Sequence, residues 1–133
     1  GVFAKVLTVS GIGTALSQAL AGTGLPLILL GFVISLALRA AQGSATVAIL
    51  TTCGLLAESI NGGGYSALQV AILTVAIGFG GLGLSHVNDS GFWIVTRYLG
   101  LSVADGLRSW TVLTTILGLA GFLLTWLIWV LAS

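Results

Sequence analysis

The chain has 133 residues, of which 57% are hydrophobic and only 5% are charged, and its formal net charge is +1. A soluble domain carries about 25% charged residues, so the composition excludes a soluble domain and predicts a protein that lies in the lipid bilayer. The small net charge gives no reason to expect a nucleic-acid partner. The single cysteine, Cys53, excludes an internal disulfide and a cysteine-rich metal site, and we predict neither a metal nor a cofactor.

The N-terminal region is apolar but interrupted. Residues 2–20 contain Ser10-Gly11-Ile12-Gly13, which favours two short helical pieces that form a re-entrant hairpin. Non-helical backbone is tolerated at membrane depth only where protein or a water-filled cavity surrounds it. Because the chain starts at Gly1 and contains no methionine, we interpret residues 1–133 as a single membrane domain that is incomplete at its N-terminus, the C-terminal part of a larger protein.

Two helices are predicted next along the chain. About 20 apolar residues are needed to cross the hydrocarbon core. Residues 25–41 form a clear apolar segment with Pro26 in its first turn, where proline is favoured. Residues 44–60 are short for a full span, and the turn signal Asn61-Gly-Gly-Gly64 follows them.

The second half of the chain predicts one interrupted helix and one uninterrupted helix. Residues 66–84 are apolar, but their four late glycines favour either unwinding or close packing. Residues 92–99 are too short to span alone, and residues 103–108 are interpreted as a polar connector. Residues 110–131 contain no charge and carry tryptophans towards both ends, as anchoring at the membrane interfaces predicts.

A first polar cluster interrupts the apolar sequence at Arg39-Ala-Ala-Gln-Gly43-Ser44-Ala-Thr46. An arginine, a glycine break and a new helix that opens with hydroxyl residues would form an anion site. The free N–H groups and the dipole at a helix N-terminus favour a carboxylate, and Arg39 could bind that carboxylate bidentately. In the alternative, Arg39 extends to the lipid headgroups and Ser44 only caps the helix.

A second cluster lies in Ser85-His86-Val-Asn88-Asp89-Ser-Gly-Phe-Trp93. Ionisable groups at membrane depth are costly and usually mark an ion or substrate path. Histidine is a common proton carrier in proteins, which makes His86 a candidate. Asp89 could also carry a proton, and Asn88 can donate to and accept from a polyol. In the alternative, the segment is an interfacial loop with a helix cap at Asn88 or Asp89.

These two clusters, followed by Arg108-Ser-Trp-Thr-Val112, resemble the C-terminal part of the gluconate permease family of bacterial proton symporters. The resemblance covers essentially the whole chain. It implies an all-α fold, a polytopic transmembrane helix bundle with broken helices and re-entrant hairpins that forms the C-terminal part of an inverted-repeat transporter. Two positions depart from the family: Ser90, where several members have proline, and Thr114, which lies in a helix where some members carry a glutamate.

The resemblance implies secondary active transport of gluconate or a related small sugar acid across the bacterial inner membrane by proton symport, with no enzymatic activity. The expected partners are the substrate, protons, the bilayer and the N-terminal part of the same transporter. The predicted substrate-binding residues are Arg39, Gly43, Ser44, Thr46 and Asn88, and the predicted proton-coupling residues are His86 and Asp89.

Other functions fit parts of the sequence. The chain could belong to a transporter of another small carboxylate, such as D-serine. It could also be a non-transporting membrane subunit that is held in a complex by glycine-rich helix packing. An intramembrane enzyme that uses His86 and Asp89 is a third alternative, although Ser85 and Ser90 are only their sequence neighbours.

Overall fold

The computed structural model describes residues 24–132 together with seven isolated residues nearer the N-terminus: Val6, Val9, Gly11, Ala15, Gln18, Ala19 and Gly22. Within residues 24–132 the secondary structure is helical throughout, with no strand, as the sequence predicts. The helices are α1 (Leu27–Gln42), α2 (Ala45–Gly62), α3 (Ala67–Leu82), α4 (Ser90–Tyr98) and α5 (Val103–Ala132). The predicted re-entrant hairpin of residues 2–20 lies outside the described residues.

The break between α1 and α2 is only Gly43 and Ser44. Gly43 adopts a left-handed conformation (φ 77°), and its N–H donates to the carbonyl oxygen of Arg39 at 2.9 Å. This is a common way to end a helix, and glycine adopts it without a steric cost. Ser44 then caps α2 by accepting from the N–H of Val47 at 3.3 Å. The chain therefore reverses within two residues.

Helix α3 stays intact through its glycines. It begins with a capping box, in which Ser66 and Gln69 exchange side-chain and backbone hydrogen bonds. It continues past Gly78, Gly80 and Gly81 to Leu82, so of the two predicted alternatives, close packing is the one observed. A Cβ atom on Gly80 would lie 2.5 Å from the carbonyl oxygen of Phe32 in α1. The missing side chain lets the two helices approach each other closely.

Residues 83–89 separate α3 from α4, and this break is longer than the first. It contains Leu84, which has a positive φ of 50°. Asp89 caps α4 by accepting from the N–H of Gly91 at 3.0 Å. The predicted short segment of residues 92–99 corresponds to α4, which has nine residues.

Helix α5 confirms the uninterrupted apolar helix and corrects one prediction. Residues 103–108 were expected to form a connector, but they are the first turns of α5. Ser102 caps these turns by accepting from the N–H of Asp105 at 3.1 Å, and an acidic residue in a first turn interacts favourably with the helix dipole. These local interactions stabilise a helix here in spite of the polar composition of the segment. A π-helical turn, Leu107–Thr111, then joins the first turns to the apolar part.

The core lies where α1, α3 and α5 meet. Ile28 and Phe32 of α1, Leu73 and Ile77 of α3 and Phe122 of α5 are buried together. The rings of Phe32 and Phe122 stack with their centroids 4.1 Å apart. Within the described residues, α2 and α5 are long and apolar enough to cross a membrane.

Helices α3 and α4 pack along α5 and run antiparallel to it. Tyr65, just before α3, contacts Trp129 near the end of α5 with ring centroids 5.8 Å apart, while α4 packs on the first turns of α5. The break between α3 and α4 lies beside Trp110 of α5. At 1.5 Å per residue, α5 is about 45 Å long and Trp110 is about 10 Å from its start. The break therefore lies within the thickness of a membrane that α5 spans.

Candidate functional site

The two helix breaks enclose a cavity of about 520 Å³. The N-termini of α2 and α4 both reach it, as does the C-terminal end of α3. The lining residues are Arg39, Gly43, Ser44, Ala45, Thr46, Ile49, Gly78, Gly81, Leu82, Ser85, Asp89, Ser90, Gly91, Trp110 and Thr114. Helix N-termini carry free N–H groups and positive dipole ends. The cavity is therefore suited to an anion.

A buried ion pair lies at the centre of the cavity wall. Arg39 Nη2 contacts Asp89 Oδ2, and the two side chains are only 7% and 9% exposed. Arg39 therefore does not extend to the headgroups, because its charge is neutralised inside the protein. Asp89 caps α4 and also pairs with Arg39, so a capping role and an electrostatic role coexist in one carboxylate.

The guanidinium of Arg39 is only partly used by the described residues. Nη1 donates to the carbonyl oxygen of Gly43, and Nη2 donates to Asp89. Nε is buried and has no hydrogen-bond partner in the described part of the chain. Nε and Nη2 lie on the same edge of the guanidinium, the edge that binds a carboxylate bidentately. Replacement of Asp89 by another anion would therefore make the whole edge available.

Ser85 joins the ion pair to α5. Its hydroxyl donates to Asp89 Oδ2 and accepts from Trp110 Nε1 at 2.8 Å. Its backbone N–H donates to Thr114 Oγ1 at 3.3 Å, and its carbonyl oxygen accepts from Thr111 Oγ1 at 2.6 Å. One residue of the second break is thus bonded to three side chains of α5.

The remaining predicted residues divide into two groups. Gly43, Ser44 and Thr46 line the cavity at the start of α2, and their binding of substrate stays a prediction. His86 and Asn88 do not belong to the lining, because both side chains bond to the carbonyl oxygen of Ala40, at 3.0 Å from His86 Nε2 and 2.6 Å from Asn88 Nδ2. They join the second break to the end of α1.

Sequence reasoning missed four polar members of the cavity wall: Ser85, Ser90, Trp110 and Thr114. Ser85, Ser90 and Trp110 lie in the segments that carry the family resemblance, and Ser90 and Thr114 are the two departures from it. The position of these residues in those segments and at those departures was the signal in the sequence that could have identified them. The contact of Ser85 with Trp110 joins residues 25 positions apart, and no local periodicity predicts it.

Comparisons with known proteins agree on one family. A family model described as GntP family permease matches residues 1–131. The chain is 64% identical to the inner membrane permease YgbN of Escherichia coli K12 over 129 residues, which cover 97% of this chain and 28% of that protein. It is 47% identical to the low-affinity gluconate transporter of the same organism, over 91% of this chain and 27% of the transporter.

The chain belongs to the GntP permease family. A further member of the family, the Gnt-II system L-idonate transporter of Escherichia coli K12, is 40% identical over 92% of this chain and 27% of its own length. The chain thus spans little more than a quarter of the length of these relatives. No solved structure matches it.

Membership of the GntP permease family confirms the predicted class and location. The family is one of permeases, not of enzymes, so an intramembrane enzyme is no longer an alternative. The inner membrane as its location agrees with its relatives and its apolar helices. The inverted-repeat architecture stays a prediction.

Proposed function

We propose that the full-length protein imports gluconate or a related sugar acid across the inner membrane together with protons. Relatives named as gluconate and L-idonate transporters support this substrate class. The observation that carries the mechanism is the buried pair of Arg39 and Asp89 in the cavity wall. The Nε of Arg39, on the same edge as the Nη2 that holds Asp89, has no hydrogen-bond partner within the described part of the chain.

The substrate carboxylate binds between Arg39 and the N-terminus of α2 in this proposal. It takes the Nε and Nη2 edge of the guanidinium, while Nη1 stays on the carbonyl oxygen of Gly43. The N–H groups at the start of α2 and the helix dipole add to its stabilisation. An arginine edge and a helix N-terminus together recognise a carboxylate in a way that neither does alone.

The hydroxyl groups of a sugar acid match the rest of the cavity wall. Ser44, Thr46, Ser90 and Thr114 contribute hydroxyls from three different helices or their caps. Hydroxyls both donate and accept, so they can bind a polyol chain in several orientations. The volume, about 520 Å³, falls within the usual range for small-molecule sites, about 300–1,000 Å³.

Proton coupling follows from the charge of the site. Arg39 and Asp89 together are neutral. A bound substrate anion alone would leave the site with one negative charge, and a proton on Asp89 alone would leave it with one positive charge. Uncompensated charge is costly at membrane depth. Binding of one proton and one monovalent anion restores neutrality, so the two ligands stabilise each other.

Asp89 is the better of the two predicted proton carriers. It lines the cavity and competes directly with the substrate for Arg39. His86 lies outside the lining, and its Nε2 contacts a carbonyl oxygen. Because a carbonyl oxygen only accepts, Nε2 must carry the hydrogen. The partner of His86 is therefore the backbone of α1 and not a group of the cavity wall.

Uptake of radiolabelled gluconate by a permease-deficient bacterium that expresses the full-length protein tests the proposal. We expect a protonophore to abolish accumulation by the wild type. Asp89→Asn removes both the carboxylate that competes with the substrate for Arg39 and the group that carries the proton. We therefore expect gluconate exchange to continue, while accumulation and its sensitivity to the protonophore are lost. Arg39→Gln reduces exchange by about 100-fold or more, because it removes the cation that pairs with the buried substrate carboxylate, and an unpaired buried charge costs about 3–5 kcal/mol.

Controls separate these roles from effects on folding. Arg97→Gln alters an exposed arginine of α4 and should retain uptake, as should His86→Gln. The double variant Arg39→Gln/Asp89→Asn carries no unpaired charge and tests expression without the pair. Protonophore-sensitive accumulation in Asp89→Asn would overturn the assignment of the proton. Competition by unlabelled L-idonate and D-serine ranks the alternative substrates.

A further inference from the structure

We propose that Trp110 is a positioning residue for proton coupling: through Ser85 it fixes Asp89 as a hydrogen-bond acceptor, so that a proton arriving at Asp89 displaces Arg39. This inference rests on the proposed function and adds a residue of α5 to it. Trp110 lines the cavity from the π-helical turn of α5, and such turns occur frequently at functional sites.

The direction of each hydrogen bond in this chain is fixed by chemistry. The indole Nε1–H of Trp110 can only donate, so the hydroxyl oxygen of Ser85 accepts, at 2.8 Å. The single hydroxyl hydrogen of Ser85 is then directed to Asp89 Oδ2. Hydrogen bonds in such chains strengthen one another. Trp110 therefore stabilises the ionised form of Asp89 without contacting it.

Ser85 cannot turn away to relieve this arrangement. Its backbone is bonded at both ends to α5, by Thr111 at the carbonyl oxygen and by Thr114 at the N–H. Ser85 is also 1% exposed, so water does not replace these partners. The donor that Ser85 presents to Asp89 is consequently held in place by the helix that carries Trp110.

Every hydrogen-bond partner of the Asp89 carboxylate in the described residues is a donor: Arg39 and Ser85 at Oδ2, and the N–H of Gly91 at Oδ1. A proton that binds Oδ2 occupies one of the two lone pairs that Arg39 and Ser85 share, so one of these two donors must leave. Gly91 is fixed by the start of α4, and Ser85 is fixed by α5. Arg39 has a long side chain and is the partner that can leave.

The proton then has a defined effect. It comes from water in the cavity and binds to Asp89, while the guanidinium edge that Asp89 releases turns to the substrate carboxylate. Charge is conserved, because one positive and one negative charge enter the site together. Arg39 is the charged group that α1 places against Asp89. The ring of His86 faces Ala40, and Arg97 of α4 and Asp105 and Arg108 of α5 are exposed.

The test is the pH dependence of initial gluconate uptake by the full-length protein. Ser85→Ala removes a hydrogen bond to a charged group, so we expect the pH midpoint of uptake to move upward by about one unit. Trp110→Phe removes only the donor to Ser85, which strengthens the bond from Ser85 to Asp89 by about 10–30%, so we expect an upward shift of about 0.1–0.3 units. The shift is upward because the carboxylate loses stabilisation and takes its proton at a lower proton concentration.

The double variant decides whether Trp110 acts through Ser85. Trp110→Phe should add no further shift in a Ser85→Ala background, whereas additive shifts would overturn the proposal. Trp93→Phe is the matched control, because Trp93 Nε1 donates to the carbonyl oxygen of Val87 at 2.8 Å and is not bonded to Ser85. Its midpoint should equal that of the wild type.

The outcomes also separate this inference from the proposed function. An unchanged midpoint in Ser85→Ala, with wild-type uptake sensitive to a protonophore, overturns the positioning role and leaves proton symport intact. If the protonophore does not reduce accumulation by the wild type, proton symport is overturned, and the inference is overturned with it. A purely structural role of Trp110 would lower the maximal rate without moving the midpoint, and that result also overturns the inference.

Discussion

The two helix breaks that form the cavity are built differently. The first break, Gly43 and Ser44, has no ionisable side chain and reverses the chain between two helices. The second break, residues 83–89, is longer and carries His86, Asn88 and Asp89. A short, fully bonded turn can present N–H donors in one fixed geometry, while a longer segment can hold a group that changes its protonation. The first break thus supplies N–H donors in a fixed geometry, and the second break supplies side chains that can change their protonation.

The largest effect is expected where the two breaks touch. A Cβ atom on Gly43 would collide with the backbone carbonyl of Asn88, and the φ of 77° is already unfavourable for an L-residue. Gly43→Ala should therefore destabilise the protein by about 3 kcal/mol or more, the sum of backbone strain and overpacking, and abolish uptake. Thermal unfolding of the full-length protein in detergent measures the loss.

Gly64→Ala is the matched control for this prediction. Gly64 has a φ of 67°, but nothing lies within 4 Å of the position of its Cβ atom. Gly64→Ala should lower the free energy of unfolding only by the backbone strain, about 1–2 kcal/mol. Equal destabilisation of the two variants would show that the contact between the breaks contributes nothing to the effect of Gly43→Ala.

A smaller effect is expected at Asn88. Asn88→Ala removes one of two hydrogen bonds to the carbonyl oxygen of Ala40, and His86 retains the other. The cost should be about 0.5–1.5 kcal/mol, which corresponds to roughly 2- to 13-fold in apparent affinity.

The substrate dependence at Asn88 separates two roles. If the side chain only joins the breaks, gluconate and L-idonate should lose the same factor in competition assays. A loss that differs between these two sugar acids would instead support direct contact with substrate hydroxyls, as the sequence predicts.

An effect of similar size to that of Asn88→Ala is expected at the cap of α2. Ser44→Ala should cost about 1 kcal/mol of stability, as is typical for a lost N-cap, and should also weaken gluconate binding, because Ser44 lines the cavity. Ser66→Ala removes a comparable cap from α3 at the other end of the helices. It should reduce the melting temperature similarly and leave the apparent affinity unchanged. Reduced affinity in both variants would contradict a binding role for Ser44.

The first break could be predicted from the sequence far better than the second. Gly43 and Ser44 act on their own chain neighbours, and local signals of this kind are visible in a sequence. The contacts of the second break join distant segments: Arg39 and Asp89 are 50 residues apart, and Ser85 and Trp110 are 25 apart. The sequence indicated that Arg39 and Asp89 were important, but only the packing of α1, α3 and α5 brings them together.

Two further differences have physical causes. Residues 103–108 looked like a connector because they are polar, yet the cap at Ser102 starts a helix there. The glycines of α3 could be interpreted as unwinding or as packing, because glycine permits both. The neighbouring helix decides between them, since Gly80 lies against the backbone of Phe32, and a single segment contains no information about its neighbour.

The contact between Gly43 and the carbonyl of Asn88 also has a consequence for motion. Since no side chain separates the two breaks, we expect them to move together if the site alternates between the two sides of the membrane as proposed. Bending is then left to turns with open space around them. Gly64 and Gly100 are such turns, with positive φ and nothing within 4 Å of their Cβ positions. On this proposal, the contact between the two breaks would be kept while the bond between Arg39 and Asp89 changes.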